Sequence, residues 1–172
     1  MTDVNSISAD ELIRAYRLLP HPEGGYFRET YRSSELIPHS ALAARYSGAR
    51  SYCTAIYYLL PKRTKSRLHR IASDEIWHFY LGGPLDIAEI HPDGGVHQIV
   101  LGLDVRQGQR LQHVVNAGVW FGAWPQPGSE FSFVGCTVAP GFDFADFELA
   151  NPEPLLQQFP HARELIQQLT RA

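Results

Sequence analysis

From Pro20 to Phe147 the chain is divided into short apolar or aromatic runs by Gly and Pro, the punctuation of many short β-strands joined by tight turns. Candidate strands are Tyr26–Tyr31, Tyr52–Leu60, Ser66–Ile71, Glu75–Leu81, Leu85–Ile90, Val96–Leu101, Arg110–Val115, Val119–Ala123 and Phe131–Val138. His91-Pro92-Asp93-Gly94-Gly95 is a strong hairpin turn, and Gly82-Gly83-Pro84 and Pro125-Gln126-Pro127-Gly128 are turns as well. About nine such strands predict a β-sandwich or barrel. Most of 36–48 lacks period-two alternation and reads as a loop or a helical excursion.

Helical signals stand only at the two ends. Ser8 with Glu11 three residues on is a capping-box pattern, and Leu12, Ile13, Tyr16 and Leu19 recur at helical spacing. A short helix over 8–19, stopped by Pro20, is expected. The tail predicts one short helix over Pro154–Phe159 and a second over His161–Thr170. At 172 residues, with no repeat or linker, the chain reads as one domain spanning 1–172.

Charge removes several function classes. Fifteen Lys and Arg against eighteen Asp and Glu give a net charge of −3, which suits neither a nucleic-acid binder nor a binder of anionic membranes. Cys53 and Cys136 are too few for a disulfide framework and sit in apolar runs, so both are expected as buried thiols. No secretory leader and no transmembrane stretch is visible, so a soluble cytoplasmic protein is expected.

The densest polar cluster is 66–78, Ser-Arg-Leu-His-Arg-Ile-Ala-Ser-Asp-Glu-Ile-Trp-His. Read as a hairpin turning at 72–74, it brings His69 and Glu75 near each other on one side. Period two then places Glu75, Trp77, Phe79 and Leu81 on one face, and Ile76, His78 and Tyr80 on the other. An apolar-aromatic face opened by a single carboxylate has the composition of a pocket. Burial among aromatics raises a carboxylate's pKa, which suits a general acid or base. His69 can orient Glu75, exchange a proton with it, or join it on a metal. The alternative is that Glu75 only pairs with Arg67 or Arg70 at a pocket rim. Arg28 or Arg32 can hold an anionic group, unless 26–32 is simply a charged edge strand. Trp120, Phe121 and Trp124 can stack on a ring ligand or fill the core.

Four segments carry a family resemblance: His21 to Ser33; His69-Arg70 with Ser73 to Tyr80; Val115 to Ala123; and Val134 to Phe144. On these the chain resembles the cupin superfamily, and within it the branch catalogued as a domain of unknown function. The resemblance implies a cupin-type β-barrel or jelly roll, and a homodimer. The general cupin pattern has two His one residue apart, then a Glu, then a Gly seven residues after it, and later Pro-x-Gly followed by a His. Here His69, Glu75 and Gly82 match, but the position beside His69 is Arg67 or Ile71, depending on the alignment of the turn, and Asn116-Ala117-Gly118 is followed by Val119-Trp120-Phe121 with no His. At most two of the four usual metal ligands remain, so no cofactor is expected. A divalent metal would need His69, Glu75 and His78, with a bulge turning His78 inward.

The expected function is binding of a small polar, carbohydrate-derived or anionic metabolite inside the barrel. Its most concrete form is a metal-independent isomerase or epimerase with Glu75 and His69 as the acid/base pair. Tyr57, Trp77, Phe79 and Trp120 would form the walls, and Arg28 or Arg70 would hold an anionic end. The alternatives are a non-catalytic binding cupin and a metal-dependent enzyme with a reduced ligand set.

Overall fold

The computed structural model describes residues 7–171. Helix α1 (Ala9–Tyr16) begins with the expected capping box: the Ser8 hydroxyl accepts from the Glu11 N–H at 3.3 Å, and the Glu11 carboxylate accepts from the Ser8 N–H at 2.8 Å. Pro20 does not stop it. Arg17, left-handed at φ 52°, closes the helix three residues earlier by donating its N–H to Arg14. Pro20 sits instead in β1 (Leu19–Pro20), at a sheet edge where its missing N–H leaves no gap in the ladder.

The strands follow the predicted runs closely. They are β2 (Tyr26–Arg32), β3 (Leu36–Ile37), β4 (Arg50–Ser51), β5 (Thr54–Pro61), β6 (Ser66–Arg70), β7 (Asp74–Gly82), β8 (Leu85–Ile90), β9 (Val96–Leu101), β10 (Gln112–Val115), β11 (Trp120–Pro125), β12 (Phe131–Ala139) and β13 (Glu148–Leu149). Two antiparallel sheets result, one ordered β1-β2-β5-β12-β7-β10 and the other β13-β6-β11-β8-β9. The short β3–β4 pair and a 3₁₀ turn at His39–Ala41 occupy the region read as a loop or excursion.

The inner faces enclose Tyr58, Leu60, Trp77, Phe79, Ile87, Phe121 and Val134. Both outer faces are covered as well. Helix α1 lays Leu12 on Leu59, Phe131 and Phe133 of the larger sheet. The tail helices α2 (Pro152–Gln158) and α3 (Arg163–Thr170) cover Leu68, Ile90 and Trp120 of the smaller one. Asn151 caps α2, accepting from the Glu153 N–H at 3.3 Å, so this helix starts two residues before the predicted Pro154. Pro160–Ala162 form a 3₁₀ turn, which delays α3 to Arg163. Ile166 is fully buried between α3 and the sheet. Ile166→Ala is expected to lose roughly 2–5 kcal/mol. The check is a lower urea midpoint at unchanged m-value.

Two features depart from the sequence reading. β6 and β7 are not a hairpin: β6 pairs with β11 and β13, whereas β7 pairs with β12 and β10. The corner at 71–73 carries the chain from one sheet to the other. Alternation assigns faces to a strand, but it does not name its partners. The second departure is a bulge in β7, where Phe133 pairs with Leu81 but Val134 pairs with Phe79. The extra residue sends Leu81 to the outer face, where it packs with the α1 cluster rather than with Glu75, Trp77 and Phe79.

Candidate functional site

Glu23 enters the barrel because Gly24 and Gly25 turn the chain sharply behind it. Both have positive φ (116° and 67°), and a Cβ on Gly24 would collide with the Lys65 carbonyl. Backbone and side-chain bonds stitch this turn to β6: the Arg67 N–H donates to the Glu23 carbonyl at 2.8 Å, and the Arg67 guanidinium to the Pro22 carbonyl at 2.6 Å. The Glu23 carboxylate is thereby buried. One oxygen accepts from the Ser66 hydroxyl at 2.8 Å, and the other lies 3.1 Å from His69 Nε2.

His69 is 2% exposed, and its Nδ1 contacts the Arg67 carbonyl at 2.7 Å. A carbonyl accepts only, so Nδ1 carries a proton. Nε2 faces Glu23, so a proton taken up there is stabilised by the carboxylate. His21 is the opposite case. Its Nδ1 accepts from the Glu23 N–H at 3.2 Å, which leaves the neutral ring with its proton on Nε2. Burial, the dominant influence, holds the His21 pKa below the ordinary value.

Glu75 comes in from the other sheet and faces the same cavity. Burial, reinforced by the nearby Glu23 charge, pushes its pKa from 4.5 up to about 8. It is therefore a protonated carboxyl at neutral pH. The Cys136 thiol lies beside it, and burial together with Glu75 pushes that thiol well above its ordinary value. The Trp77 indole also borders Glu75, and its buried N–H lacks a hydrogen-bond partner.

His21, Glu23, His69, Glu75 and Cys136 line a cavity of about 240 Å³. Tyr58, Phe27 and Ile56 form one wall, and Phe142, Phe144 and Phe147 another. Phe144 is 54% exposed and stands at the mouth. Arg32 is also at the rim, where it forks onto Glu29 at 3.0 and 2.8 Å and donates to the Phe142 carbonyl at 3.0 Å.

The structure brings His69 and Glu75 together as expected, but along the barrel's interior instead of across a hairpin. Trp77 and Phe79 are inner-face core residues beneath the site. The other expected wall and anchor residues point elsewhere. Tyr57 faces outward against Tyr16 and Phe133, and its neighbour Tyr58 takes the inner position. Trp120 is buried under the tail helices, with the Arg70 guanidinium 4.4 Å above its ring. Arg70 pairs with Glu148 on that outer side, and Arg28 is exposed on the outer face of β2. Cys53, expected buried, is half-buried. The expected anion holders Arg28 and Arg70 are therefore not at the cavity, whereas Arg32, the other candidate, lines its rim.

His78 also faces away, meeting Thr137 Oγ1 at 3.0 Å and Gln112 at 2.9 Å. The β7 bulge falls after His78, so it does not turn that ring inward. The set His69, Glu75 and His78 is not assembled. Neither does the cavity offer the usual cupin ligand set. Ile71 and Phe121 supply only carbon, and His69 Nε2 is taken by Glu23. Among the described residues, His21, Glu23, His69, Glu75 and Cys136 line the cavity without forming a group compact enough to hold a metal ion. Among the described residues, the group of His, Cys, Asp and Glu side chains compact enough for one is Glu89, His91 and His97, on another part of the barrel.

Sequence reasoning missed His21, Glu23, Tyr58, Cys136 and the Phe142–Phe147 wall as parts of the site. The signal for Glu23 was present in His-Pro-Glu-Gly-Gly, a turn whose two glycines let a carboxylate fold back into the barrel.

Comparison with known proteins agrees with this architecture. Residues 10–150 match the family Cupin_5, described as Cupin superfamily (DUF985). An uncharacterized protein of Saccharomyces cerevisiae is 33% identical over 159 residues, covering 87% of this chain and 79% of the yeast protein. A crystal structure of a Shewanella oneidensis protein superposes with a TM-score of 0.86 at 38% identity, over 96% of this chain and 98% of that one. A hypothetical protein from Leishmania major gives 0.86 at 31% identity, over 96% and 100%. Oxalate decarboxylase from Bacillus subtilis shares the fold alone, with a TM-score of 0.54 at 14% identity, over 89% of this chain and 37% of that one.

Proposed function

The chain belongs to the Cupin_5 (DUF985) family of the cupin superfamily, and from that premise we propose that it binds a small, neutral, hydroxyl-rich metabolite in the barrel cavity and moves a proton on it. The observation that carries this reading is the pair of unlike groups facing one cavity: His69 Nε2, backed by the Glu23 carboxylate, and Glu75, which holds its own proton. Titratable groups whose environments set them in different proton states are the pattern of an acid and a base working on opposite sides of a ligand. Isomerisation or epimerisation next to a carbonyl is the chemistry this pair supports. His69, oriented by the Arg67 carbonyl and Glu23, takes the proton as base, and Glu75 delivers one as acid.

Size and charge support the substrate class. A cavity of about 240 Å³ lies below the roughly 300–1,000 Å³ of sites for drug-sized ligands, which favours a single small ring or chain. With Glu75 protonated, Glu23, Glu29 and Asp143 line it against Arg32, and Arg32 is already forked onto Glu29. That balance disfavours an anion. Phe27, Phe144 and Phe147 offer faces on which a sugar-like ring can stack.

The test is solvent-hydrogen exchange. The protein is incubated in D₂O with a panel of aldoses, ketoses and their phosphates, and deuterium at carbon is read by mass spectrometry. Wash-in on a neutral sugar, lost in Glu75→Gln and in His69→Gln, is the expected result. Binding of a sugar without wash-in would reduce the protein to a non-catalytic binder. Exchange confined to the phosphates would overturn the charge argument.

A further inference from the structure

We propose that Glu89, His91 and His97 form a binding site for one divalent transition-metal ion of the zinc class, separate from the cavity, with His113 fixing the carboxylate. The backbone assembles the site. Glu89 and His97 are direct partners across β8 and β9, and His91 follows Glu89 by two residues, the spacing that returns a strand to the same face. Their ligand atoms all lie within 4.8 Å of one another, and the rings of His91 and His97 are 4.5 Å apart. Zinc bonds to nitrogen and oxygen of about 2.0–2.2 Å need ligand atoms roughly 3.3 Å apart, a closure that side-chain rotation supplies.

The group is held in advance of any ion. Glu89 is 4% exposed. One of its oxygens meets His91 Nε2 at 2.8 Å, and the other is bonded by His113 Nε2 from β10, across the gap between the two sheets. A partner on the non-ligating oxygen of a ligand carboxylate is the outer support that metal sites use. The hairpin between the two histidines is fixed as well. His91 and Gly95 bond at 2.9 Å, and His161 from the tail holds the Gly94 carbonyl at 2.6 Å. His91 is partly exposed and His97 exposed, which leaves an entry path and a position for water.

The donor set names the class of ion. Two imidazoles and one carboxylate suit Zn²⁺, Co²⁺, Ni²⁺ or Fe²⁺, whereas Ca²⁺ and Mg²⁺ require oxygen and Cu⁺ prefers sulfur. The site is distinct from the cavity. His69, Phe121 and Glu89 occupy successive strands in one cross-strand row, so Glu89 stands two strand spacings, roughly 10 Å, from His69. Phe121, edge to face with Trp77 at 6.1 Å, stands between them in that row.

Untagged protein stripped with chelator is titrated calorimetrically with Zn²⁺, and with Co²⁺ followed by its visible absorption. One ion per chain is expected, unchanged in His69→Gln. Affinity falls about 10–100-fold in His113→Gln, and stoichiometric binding is lost in His91→Ala/His97→Ala. The single exposed substitution His97→Gln, checked by circular dichroism, gives the same answer if the double variant folds poorly. Zn²⁺ also raises the melting temperature of the wild type and of His69→Gln, and not of His91→Ala/His97→Ala or His97→Gln. Absence of one-to-one binding at 100 μM ion, or equal affinity in the double variant, would overturn the proposal.

Discussion

Glu75→Gln is expected to stabilise the protein at pH 8 and to leave it nearly unchanged at pH 4.5. The wild-type carboxyl has a folded pKa near 8 against an ordinary 4.5. Its favourable contribution is complete below the unfolded value and is lost as pH rises towards the folded one, because only the unfolded chain releases the proton in between. Stability of the wild type should therefore decline across pH 4.5–8 relative to the variant, at up to about 1.4 kcal/mol per pH unit and no more than roughly 5 kcal/mol in all. Glutamine keeps the shape of the protonated acid and does not titrate. Urea unfolding of both proteins at four pH values measures the difference. A difference that stays flat with pH means that Glu75 ionises normally, and the assignment of a neutral acid to the cavity then fails with it.

Asp146→Ala is expected to cost roughly 3 kcal/mol and to weaken ligand binding together with stability. Arg50 and Asp146 form a forked pair whose side chains are only 5% and 4% exposed, with Nε to Oδ2 at 2.7 Å. Removing the carboxylate leaves the guanidinium buried with only the Ala49 carbonyl, at 2.8 Å, and the Ser47 hydroxyl, at 3.2 Å. The pair also ties Phe142–Phe147, one wall of the cavity, to β4. Phe142 is fastened a second time by its N–H on Thr54 Oγ1 at 2.9 Å, so loosening centres on Phe144 and Phe147. The double variant Arg50→Met/Asp146→Leu should recover most of the stability, since it buries no lone charge. Thermal unfolding of the three proteins decides the point. An Asp146→Ala loss below about 0.5 kcal/mol would class the pair with weak surface ion pairs.

The strands were readable because each carries its own signal. Leu85–Ile90 and Val96–Leu101 have the predicted boundaries, as turn residues delimit both. Glu75 and His69 were also found, since a carboxylate and an imidazole inside apolar strand patterns are conspicuous locally. Tyr57 and Tyr58 show where this stops. Both are aromatic neighbours in one strand, and only the register against β2 and β12 decides which faces the cavity. Trp120 was misplaced for a related reason: its strand is buried on both faces, so alternation carries no polarity. Glu89 and His97 were passed over because His91 to Gly95 was read only as a turn, although that turn is what makes the two residues partners.

The family resemblance of four segments carried the cupin fold; the sequence by itself determined the local structure: where strands begin and end, and that helices cap the two ends. These follow from short-range sterics and periodicity, which act within a few residues. The tertiary structure alone decided the pairing of sheets across the 71–73 corner, the return of Glu23 to His69, and the meeting of Glu89 with His113. Such contacts depend on which strands become neighbours, and that choice is made by burying both sheets' faces at once.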